Sequence, residues 1–449
     1  MKSITLGSLF DGSGGFPLAG AHAGITPIWA AEIEPCPIAV SSLHFPQVKH
    51  LGDVSQIDGK TITPVDVITF GSPCQNMSTA GKREGIKHKD KGDDKTTRSG
   101  LFYEAIRIIK EMREATNGEY PKYAVWENVE GAFSSNKGED FRCVLEEFTR
   151  ICDEKSSIPR PADGKWRNAG EIVGDNFSIA WRLFDAQYWG VPQRRKRIYL
   201  VADFTGKCAG KVLFERESMR GNSTESGTSR QGAAGDATEG IRGSRGTRNV
   251  IYAIQGNVID RALTANCNGC GWRENACYTL NTIDRPALCF KSGQGSNAGG
   301  NTAPAICYDA RGNGDGTLCP TLTGDHENRI TDYTAVVVKE NPKPPREYII
   351  RRLTPLECCR LQGFPDGWGD LPEKESMTEE ETQFWQTVRN TYATVNSKTT
   401  KSYTSSALLK WYNKLHTDSA EYKMWGNGIA LPCAQFIMEG IAELCKEEA

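Results

Sequence analysis

The chain lacks the long hydrophobic runs of a membrane protein, since none of its apolar stretches approaches the ~20 residues that span a bilayer. Its N-terminus also lacks a basic segment followed by an apolar core, so the sequence predicts no secretory signal. The 15 cysteines are scattered over 449 residues and do not form the dense framework of a small secreted protein, which favours a reducing compartment. We therefore expect a cytoplasmic protein with no membrane partner.

The chain also has little net charge and no complete metal-binding pattern. Its formal net charge of −2 does not by itself indicate a nucleic-acid-binding protein. The charge is unevenly distributed, however, because residues 242–248 carry three arginines and no acid, whereas residues 366–381 are strongly acidic. Cys267 and Cys270 have a metal-like spacing, but no second CxxC or histidine pair follows at the spacing of a zinc finger, so we expect no metal site.

A strand-like apolar run at residues 65–70 leads to a cysteine. Gly71 allows a sharp turn after the run, Pro73 stiffens that turn, and Cys74 follows. A buried parallel strand reads as a short continuous apolar stretch, and α/β proteins place their chemistry at its C-terminal end. A thiolate fixed there is a nucleophile. For this motif alone, the alternative is a buried and inert structural cysteine.

The N-terminus has the pattern of a strand, a glycine turn and a helix. Residues 4–10 are strand-like, residues 11–15 (DGSGG) form the turn, and residues 16–23 are helix-like. Such a turn lets backbone N–H groups approach a cofactor closely. Its spacing differs from G-x-G-x-x-G, so a nicotinamide cofactor is disfavoured. An ordinary tight turn is the alternative.

Two acidic residues extend this pattern. Residues 27–31 read as a second strand that ends at Glu32, about 20 residues after the glycine turn, where a ribose diol is held in such folds. Asp53 follows a further strand-like segment and suits a hydrogen bond from an adenine amino group. Each acid alone is compatible with a solvated loop. Together, at the ends of successive strands, the two acids indicate a pocket for an adenosine.

Six sequence blocks resemble, in their order, the motifs of the DNA (cytosine-5)-methyltransferases that use S-adenosylmethionine. The blocks are residues 10–15 (FDGSGG), 73–75 (PCQ), 127–129 (ENV), 193–197 (QRRKR), 352–368 (with LQGFP at 361–365) and 426–428 (GNG). Their order and their spread over nearly the whole chain argue against an accidental match. Ser8 stands where the family often has an acidic residue, and Ser72 where a Phe often precedes Pro-Cys; neither departure removes a group that the chemistry needs.

The resemblance implies a covalent mechanism, which the residue types support. Attack of the Cys74 thiolate on cytosine C6 breaks the conjugation of the ring, so that C5 can attack the sulfonium methyl group. Glu127 follows the strand-like residues 123–126 and by resemblance lies beside Cys74; protonated through burial, it would donate to N3. An N-cap carboxylate is the alternative for Glu127. By resemblance, Arg195 meets the cytosine O2.

The arginine-rich segment continues directly into an apolar strand at residues 191–200. Residues two apart share a face of a strand, so Arg195 and Arg197 can both enter the active site while Arg194 and Lys196 point away. The expected catalytic residues are Cys74, Glu127, Arg195, Pro73, Asn128, Arg197 and Gln193, with Asn128 orienting the Pro73-Cys74 turn.

The resemblance implies S-adenosylmethionine as the cofactor and S-adenosylhomocysteine as its product. The expected cofactor-binding residues are Phe10, Asp11, Gly12, Gly14, Gly15, Glu32, Ile33, Asp53, Val54, Leu101, Asn427 and Gly428. Because the asparagine turn would complete the cofactor pocket, the first and last segments of the chain should meet in space.

The polar stretch between Ser78 and Leu101 has charges of both signs and no apolar period, which predicts a mobile loop. In the resembling family this loop closes over the bound DNA, and its basic residues would meet phosphates. A merely flexible insertion is the alternative. The expected DNA-binding residues are Gln75, Ser78, Lys82, Arg83, Arg98, Thr321 and Leu322, the last two from a Thr-Leu pair typical of the family.

A change in composition divides the chain into two parts. The resemblance implies that the first is a doubly wound, Rossmann-like α/β methyltransferase domain and the second a smaller recognition domain. Residues 1–203 alternate apolar strands with amphipathic helices, such as 101–112 and 141–152, which is the βαβ pattern of a parallel sheet. Residues 204–348 contain a linker rich in Ser, Gly, Thr and Arg, then short strand-like pieces at 250–338. The resemblance makes this segment a loop-rich, mainly β target-recognition domain.

Residues 349–449 return to the first domain. A helix is predicted at 354–362, with Pro355 in its first turn, and another at 429–444. A polar insertion at about 370–423 separates them and has helical pieces at 384–392 and 407–415. The sequence assigns no function to this insertion.

Together these patterns and the resemblance imply an enzyme that methylates C5 of a cytosine in a specific duplex DNA sequence. The cytosine must be flipped out, because stacking covers the face of the ring that must be approached. An RNA cytosine methyltransferase on the same scaffold and a catalytically silent DNA-binding regulator are the alternatives. Since the motifs begin within ten residues of Met1, we expect a bacterial or phage enzyme. We also expect a monomer, and the resemblance allows a cognate restriction endonuclease that acts separately.

Overall fold

An eight-stranded sheet is the centre of the fold. The structure, a computed structural model, describes residues 3–72, 100–214, 252–254, 272–274, 287–291 and 348–447. The strands are β1 (Thr5–Leu9), β2 (Thr26–Ala31), β3 (Lys49–His50), β4 (Val67–Phe70), β5 (Tyr123–Val129), β6 (Ala169–Val173), β7 (Ser178–Asp185) and β8 (Lys196–Asp203). They lie in the order β3-β2-β1-β4-β5-β8-β7-β6.

Only the first five strands are parallel to one another, as the βαβ pattern predicts. The strands β6, β7 and β8 run antiparallel to their neighbours, so a wholly parallel sheet over residues 1–203 is wrong. For β6 and β7 the reason is the short connection at residues 174–177, since a parallel pair needs a crossover of a dozen or more residues. The strand expected at 191–200 also begins later, at Lys196.

Helices cover both faces of this sheet. The helices are α1 (Gly15–His22), α2 (Pro35–His44), α3 (Gly100–Ala115), α4 (Glu139–Thr149), α5 (Ala209–Leu213), α6 (Pro355–Leu361), α7 (Glu379–Val395), α8 (Ser405–Tyr412), α9 (Asp418–Asn427) and α10 (Leu431–Glu447). On β5, Val125 faces the core that includes α1 and α10, whereas its neighbour Trp126 faces the core that includes α3 and α4. The doubly wound α/β class is therefore confirmed.

The helix ends follow local sequence signals. The helix α6 begins where Pro355 predicts it, and Thr354 and Glu357 form a capping box in which each side chain accepts a backbone N–H of the other residue. The helix α7 starts with the same device at Thr378 and Glu381. Among the described residues, no single helix is long and apolar enough to cross a membrane; only the bent pair α9 and α10 passes that test together.

Four further strands form a separate antiparallel sheet. They are β9 (Tyr252–Ile254), β10 (Trp272–Glu274), β11 (Ala287–Lys291) and β12 (Tyr348–Arg352), in the order β10-β9-β11-β12. This sheet agrees with a mainly β module in the second half of the chain. Its last strand crosses the boundary predicted at residue 348, and α5 packs into the first domain's core beyond residue 203.

The segment after α6 packs against the N-terminal part of the chain. The helix α10 packs against α1, and a Cβ built on Gly15 would lie 2.7 Å from Cγ1 of Ile429. In the polar insertion, α7 and α8 supply Trp385, Val388 and Tyr412 to a small core with Ile38 of α2. The insertion is therefore folded onto the first domain.

Candidate active site

A glycine turn at the end of β1 forms the first wall of the site. Phe10 has a φ of 54°, and Gly12 and Gly14 have φ values of 59° and 81°, so the chain is in the left-handed region at three positions of this turn. A side chain on either glycine would strain the backbone there. Gly15 follows at the start of α1, where a side chain would collide with Ile429. The glycine turn therefore presents its backbone N–H groups at the carboxyl end of β1.

Glu32 joins the glycine turn to the end of β2. Its Oε2 accepts the N–H of Gly12 at 2.9 Å, and its Oε1 accepts the N–H groups of Ile33 at 2.7 Å and Glu34 at 2.9 Å. Burial raises the pKa of Glu32, and these three backbone N–H groups oppose that increase. The acid therefore lies beside the glycine turn, where the sequence predicts it.

Asp11 is a buried acid within the same turn. Its Oδ2 accepts the hydroxyl of Ser41 at 2.8 Å, and its Oδ1 has no hydrogen-bond partner among the described residues. Burial raises the pKa of Asp11 to about 7. Ser41 lies on α2 and had no motif to indicate it, so this partner of Asp11 is a feature that the sequence does not reveal.

The remaining predicted cofactor residues divide into apolar and polar contributions. Phe10 and Leu101 are partly exposed and pack against the edge of the core below the turn, and Val54 is buried in that core. Asp53 caps the short helical turn at Val54–Gln56 and accepts both the N–H of Ser55 at 3.0 Å and its hydroxyl at 2.8 Å. Its contact with an adenine remains a prediction.

The segment after α6 holds the glycine turn in place. The indole Nε1 of Trp368 donates to the carbonyl of Ser13 at 2.9 Å, and its ring stacks on His44 with centroids 3.6 Å apart. His44 Nε2 in turn donates to the carbonyl of Trp368 at 2.8 Å. Asn427 ends α9, and Gly428 follows it at the point where the chain turns into α10. The two ends of the chain thus meet at this turn.

Glu127 lies where the chain leaves β4. In the parallel pairing of β4 and β5, Phe70 is opposite Trp126, which brings Gly71 beside Glu127. A Cβ on Gly71 would be 3.1 Å from Glu127 Oε2, a close contact with a buried carboxylate. Ser72 is buried and accepts the indole N–H of Trp126 at 3.2 Å. The segment that leads to Pro73 and Cys74 therefore starts beside Glu127.

Several predicted site residues lie outside the described residues, so their placement stays a prediction. They are Pro73 and Cys74 of the catalytic set and all the expected DNA contacts: Gln75, Ser78, Lys82, Arg83, Arg98, Thr321 and Leu322.

The two predicted arginines lie on the same side as Glu127. Arg197 Nε is 3.0 Å from Glu127 Oε1, and both side chains are largely buried. Arg195 is 2% exposed and donates to the carbonyls of Gly426, at 3.5 Å, and Gly428. Burial, followed by the neighbouring charge of Arg197, lowers the pKa of Arg195 to about 9. The ion pair of Arg197 with Glu127 was not foreseen.

The side chains of residues 194–197 alternate between exposed and buried positions, as the sequence predicts. The guanidinium of Arg194 is 3.9 Å from the carboxylate of Asp185, and the ammonium of Lys196 is 3.1 Å from that of Glu130. Both side chains are more than one third exposed, in contrast to Arg195 and Arg197. The alternation of the arginine segment is therefore confirmed, although residues 191–195 precede the strand.

Asn128, which follows Glu127 on β5, and Gln193 are both buried. Asn128 Oδ1 accepts the N–H of Val129 at 2.7 Å, whereas its amide nitrogen has no partner in the part of the chain that the structure describes. Gln193 donates from Nε2 to the carbonyl of Leu361 at 3.4 Å. A free amide donor beside the β4 end is compatible with the predicted orientation of the Pro73-Cys74 turn.

Tyr199 and Cys433 are buried neighbours of this cluster that sequence reasoning missed. Tyr199 is opposite Glu127 in the pairing of β5 with β8, and burial raises its pKa well above the usual value. Cys433 lies at the start of α10, and burial raises the pKa of its thiol as well. Neither residue belongs to a recognisable motif, because each is brought here by the pairing of distant segments.

Comparisons with known proteins find a family and several relatives that this chain is similar to. A family model described as C-5 cytosine-specific DNA methylase matches residues 4–152 and 170–384. A protein of Escherichia phage P1 named DNA N-6-adenine-methyltransferase is 28% identical over 507 residues, which covers 100% of this chain but only 62% of the phage protein. The orphan methyltransferase M.SPRI of Bacillus phage SPR is 25% identical, covering 82% of this chain and 90% of its own length. The type II methyltransferase M1.ScrFI of Lactococcus lactis subsp. cremoris is 26% identical, covering 80% and 69%.

Solved structures also match over the whole chain. A putative DNA modification methyltransferase encoded within an E. coli prophage is 17% identical with a TM-score of 0.41, covering 99% of this chain and 100% of its own. The S. pombe Dnmt2 methyltransferase is 15% identical with a TM-score of 0.44, covering 99% of each chain.

Proposed function

This chain belongs to the C-5 cytosine-specific DNA methylase family, and we propose that it transfers a methyl group from S-adenosylmethionine to C5 of a cytosine flipped out of a specific duplex DNA sequence. The observation that carries the proposal is the position of the buried Glu127 carboxylate beside Gly71, three residues before Cys74: a Cβ built on Gly71 would lie 3.1 Å from Glu127 Oε2. It puts a buried acid next to the segment that supplies the nucleophile, with Arg195 and Arg197 on the same side.

The described residues fit S-adenosylmethionine. Asp11 Oδ1 is a buried acceptor without a partner among them, and Glu32 stands at the end of the second strand, where a ribose diol is bound in such folds. Phe10 and Leu101 offer partly exposed apolar surface on the same wall. When bound, S-adenosylmethionine supplies an electrophilic methyl group. The residues that would hold it are Phe10, Asp11, Gly12, Gly14, Gly15, Glu32, Ile33, Asp53, Val54, Leu101, Asn427 and Gly428.

The chemistry of the protein's own residues follows from their types. The Cys74 thiolate forms a bond to C6, the π electrons of the C5–C6 bond shift toward C4, and Glu127 holds a proton at N3. This makes C5 nucleophilic. After methylation, Glu127 takes back the proton at N3 and the C5 proton passes to solvent water. The electrons of the C5–H bond re-form the C5–C6 double bond as the C6–S bond breaks and releases the thiolate.

We further propose that the β9–β12 module, with residues 250–338, chooses the DNA sequence, and that the loop after Cys74 contacts the duplex. Its separate antiparallel sheet supports a role distinct from that of the α/β domain, which carries Glu127 and both arginines. A monomer in the cytoplasm of a bacterium or of a phage-infected host would meet this substrate directly. A cognate restriction endonuclease, where one exists, would act as a separate protein.

Identification of the base that receives the methyl group tests this proposal. Unmethylated duplex DNA is incubated with the full chain and cofactor labelled in its methyl group, then hydrolysed to nucleosides and separated. We expect the label in 5-methyldeoxycytidine only. Cys74→Ser should lose it while still binding the cofactor, whereas Cys152→Ser, at an exposed thiol, should keep it. Label in N6-methyldeoxyadenosine, transfer to RNA alone, or no transfer by the folded protein would contradict the proposal.

A further inference from the structure

One stretch of the polar insertion contains basic residues and no acidic ones. Residues 382–417 contain five Lys or Arg residues and no Asp or Glu, in a chain with a formal net charge of −2. The residues are Arg389, Lys398, Lys401, Lys410 and Lys414. The four lysines are exposed, and none forms an ion pair within the described part of the chain. Among the described residues, these four lysines therefore have no acidic partner.

Other helices of the same molecule pair their cations. Arg107 on α3 lies 2.8 Å from both Glu104 and Glu111, one turn away on either side. Arg142 on α4 is likewise flanked by acids at i−3 and i+4. Such pairs are the usual way to stabilise an exposed helix surface, and like charges one turn apart destabilise it. Lys410 in α8 and Lys414 just after it are four residues apart, and neither forms an ion pair with an acid of the described residues.

The segment that carries these lysines is held in a defined conformation. The guanidinium of Arg389 lies 3.7 Å from the ring centroid of Tyr403 and 5.0 Å from that of Trp411. Gln386 donates to the carbonyl of Lys401 at 2.7 Å and accepts the N–H of Tyr403 at 2.7 Å. The loop between α7 and α8 is thus fixed to α7, so the lysines are presented on a preformed surface.

The insertion is attached at the catalytic edge of the sheet. Trp385 packs with Ile38 in the first turn of α2, just after the carboxyl end of β2. Phe384 lies near His50, the last residue of β3, with ring centroids 6.0 Å apart. Lys423, just beyond the basic stretch, is 2.7 Å from Glu34. All three contacts lie where the parallel strands end, which is the edge that carries the site.

From this placement and charge we propose that residues 382–417 form an auxiliary binding surface for duplex DNA phosphates outside the methylated site. The inference rests on the proposed function for the choice of duplex DNA as the polyanion. Exposed lysines bind phosphates as point charges and release condensed counterions, which gives binding without sequence preference. The acidic start of α7, with Glu379 and Glu380 exposed, marks one limit of the surface.

The salt dependence of DNA binding tests the inference. The variant replaces Lys398, Lys401, Lys410 and Lys414 by Gln; its matched control replaces the exposed Lys155, Lys165, Lys207 and Lys211 by Gln, which removes the same charge elsewhere. Each phosphate contact contributes about 0.9 to the slope of log K against log salt. We expect the insertion variant to lose roughly 2–4 from this slope on a long duplex, and the control to keep the wild-type slope.

A short duplex and a single-stranded RNA probe distinguish the possible outcomes of this experiment. A short duplex that ends at the methylated site should bind both variants equally, because it does not reach the surface. Equal slopes for wild type and the insertion variant on the long duplex would overturn the inference, as would an equal loss in the control. A loss seen only with single-stranded RNA would assign the surface to a different partner. If the protein binds DNA this way but transfers no methyl group, the proposed function fails and this inference stands.

Discussion

Replacing Glu127 by glutamine should slow methyl transfer strongly and leave cofactor binding unchanged. The substitution keeps the shape of the side chain but removes the acidic proton that is held at cytosine N3. A positioned general acid contributes roughly 10²–10⁴-fold to a rate. We therefore expect the single-turnover rate of Glu127→Gln to fall by about that factor, which is roughly 3–5 kcal/mol of activation free energy. Rapid quenching with labelled cofactor measures this rate.

The same substitution leaves Arg197 without its charge partner. The two charged groups are 3.0 Å apart, and their side chains are only 14% and 11% exposed. Removing one member of a buried pair costs about 3–5 kcal/mol, and the remaining exposure puts Glu127→Gln at the lower end of that range. Urea unfolding monitored by fluorescence measures the loss, and it also shows that the slow variant is folded at the assay temperature.

Glu130→Gln is the matched control for both measurements. Glu130 also pairs with a residue of β8, because it lies 3.1 Å from the ammonium of Lys196, but the two side chains are 47% and 36% exposed. Such an exposed pair contributes less than about 1 kcal/mol. We expect Glu130→Gln to keep the wild-type rate. The reasoning is refuted if Glu127→Gln turns over at close to the wild-type rate, or if Glu130→Gln loses as much.

Three further changes probe the cofactor wall. Lys423→Met should raise KM for S-adenosylmethionine at unchanged kcat, because Lys423 holds Glu34 next to Glu32; initial rates at varied cofactor check this. Gly15→Ala should lower the free energy of unfolding by about 1–3 kcal/mol through overpacking against Ile429, and the double variant with Ile429→Ala should lose less than the sum of the single variants in thermal unfolding. Asp11→Asn should flatten the pH dependence of stability. Burial raises the pKa of Asp11 to about 7, so the native state retains a proton that the unfolded chain releases above about pH 4. Wild-type stability should therefore fall by roughly 3–4 kcal/mol more than that of the variant between those pH values; parallel urea curves would contradict this.

The local features of the site were predictable because they depend on short sequence patterns. The glycine turn, the acid at the end of β2 and the alternation of Arg195 and Arg197 each follow from the period of a strand or the conformational freedom of glycine. The directions of the strands were harder to predict from the sequence. An apolar run such as β7 has the same composition in either direction, and only the length of its connection to β6 decides the outcome.

Contacts between distant segments could not be read from the sequence. Trp368 supports the glycine turn from 355 residues away, and Lys423 meets Glu34 across 389 residues. The ion pair of Glu127 and Arg197 has the same origin, since it depends on the antiparallel pairing of β5 with β8. In each case the local pattern places the residue on an element, and the packing of elements decides its partner.

Trapping of the covalent intermediate tests the central claim most directly. The site methylated by the chain is first located by conversion sequencing, and a duplex is made with 5-fluorocytosine at that cytosine. Fluorine at C5 cannot leave as a proton does, so the wild-type protein with cofactor should form a denaturant-stable adduct, and its peptide map should show the DNA on Cys74. Cys152→Ser should form the same adduct and Cys74→Ser none. Absence of the adduct with a duplex that the protein methylates, or an adduct with Cys74→Ser, would contradict covalent catalysis by Cys74.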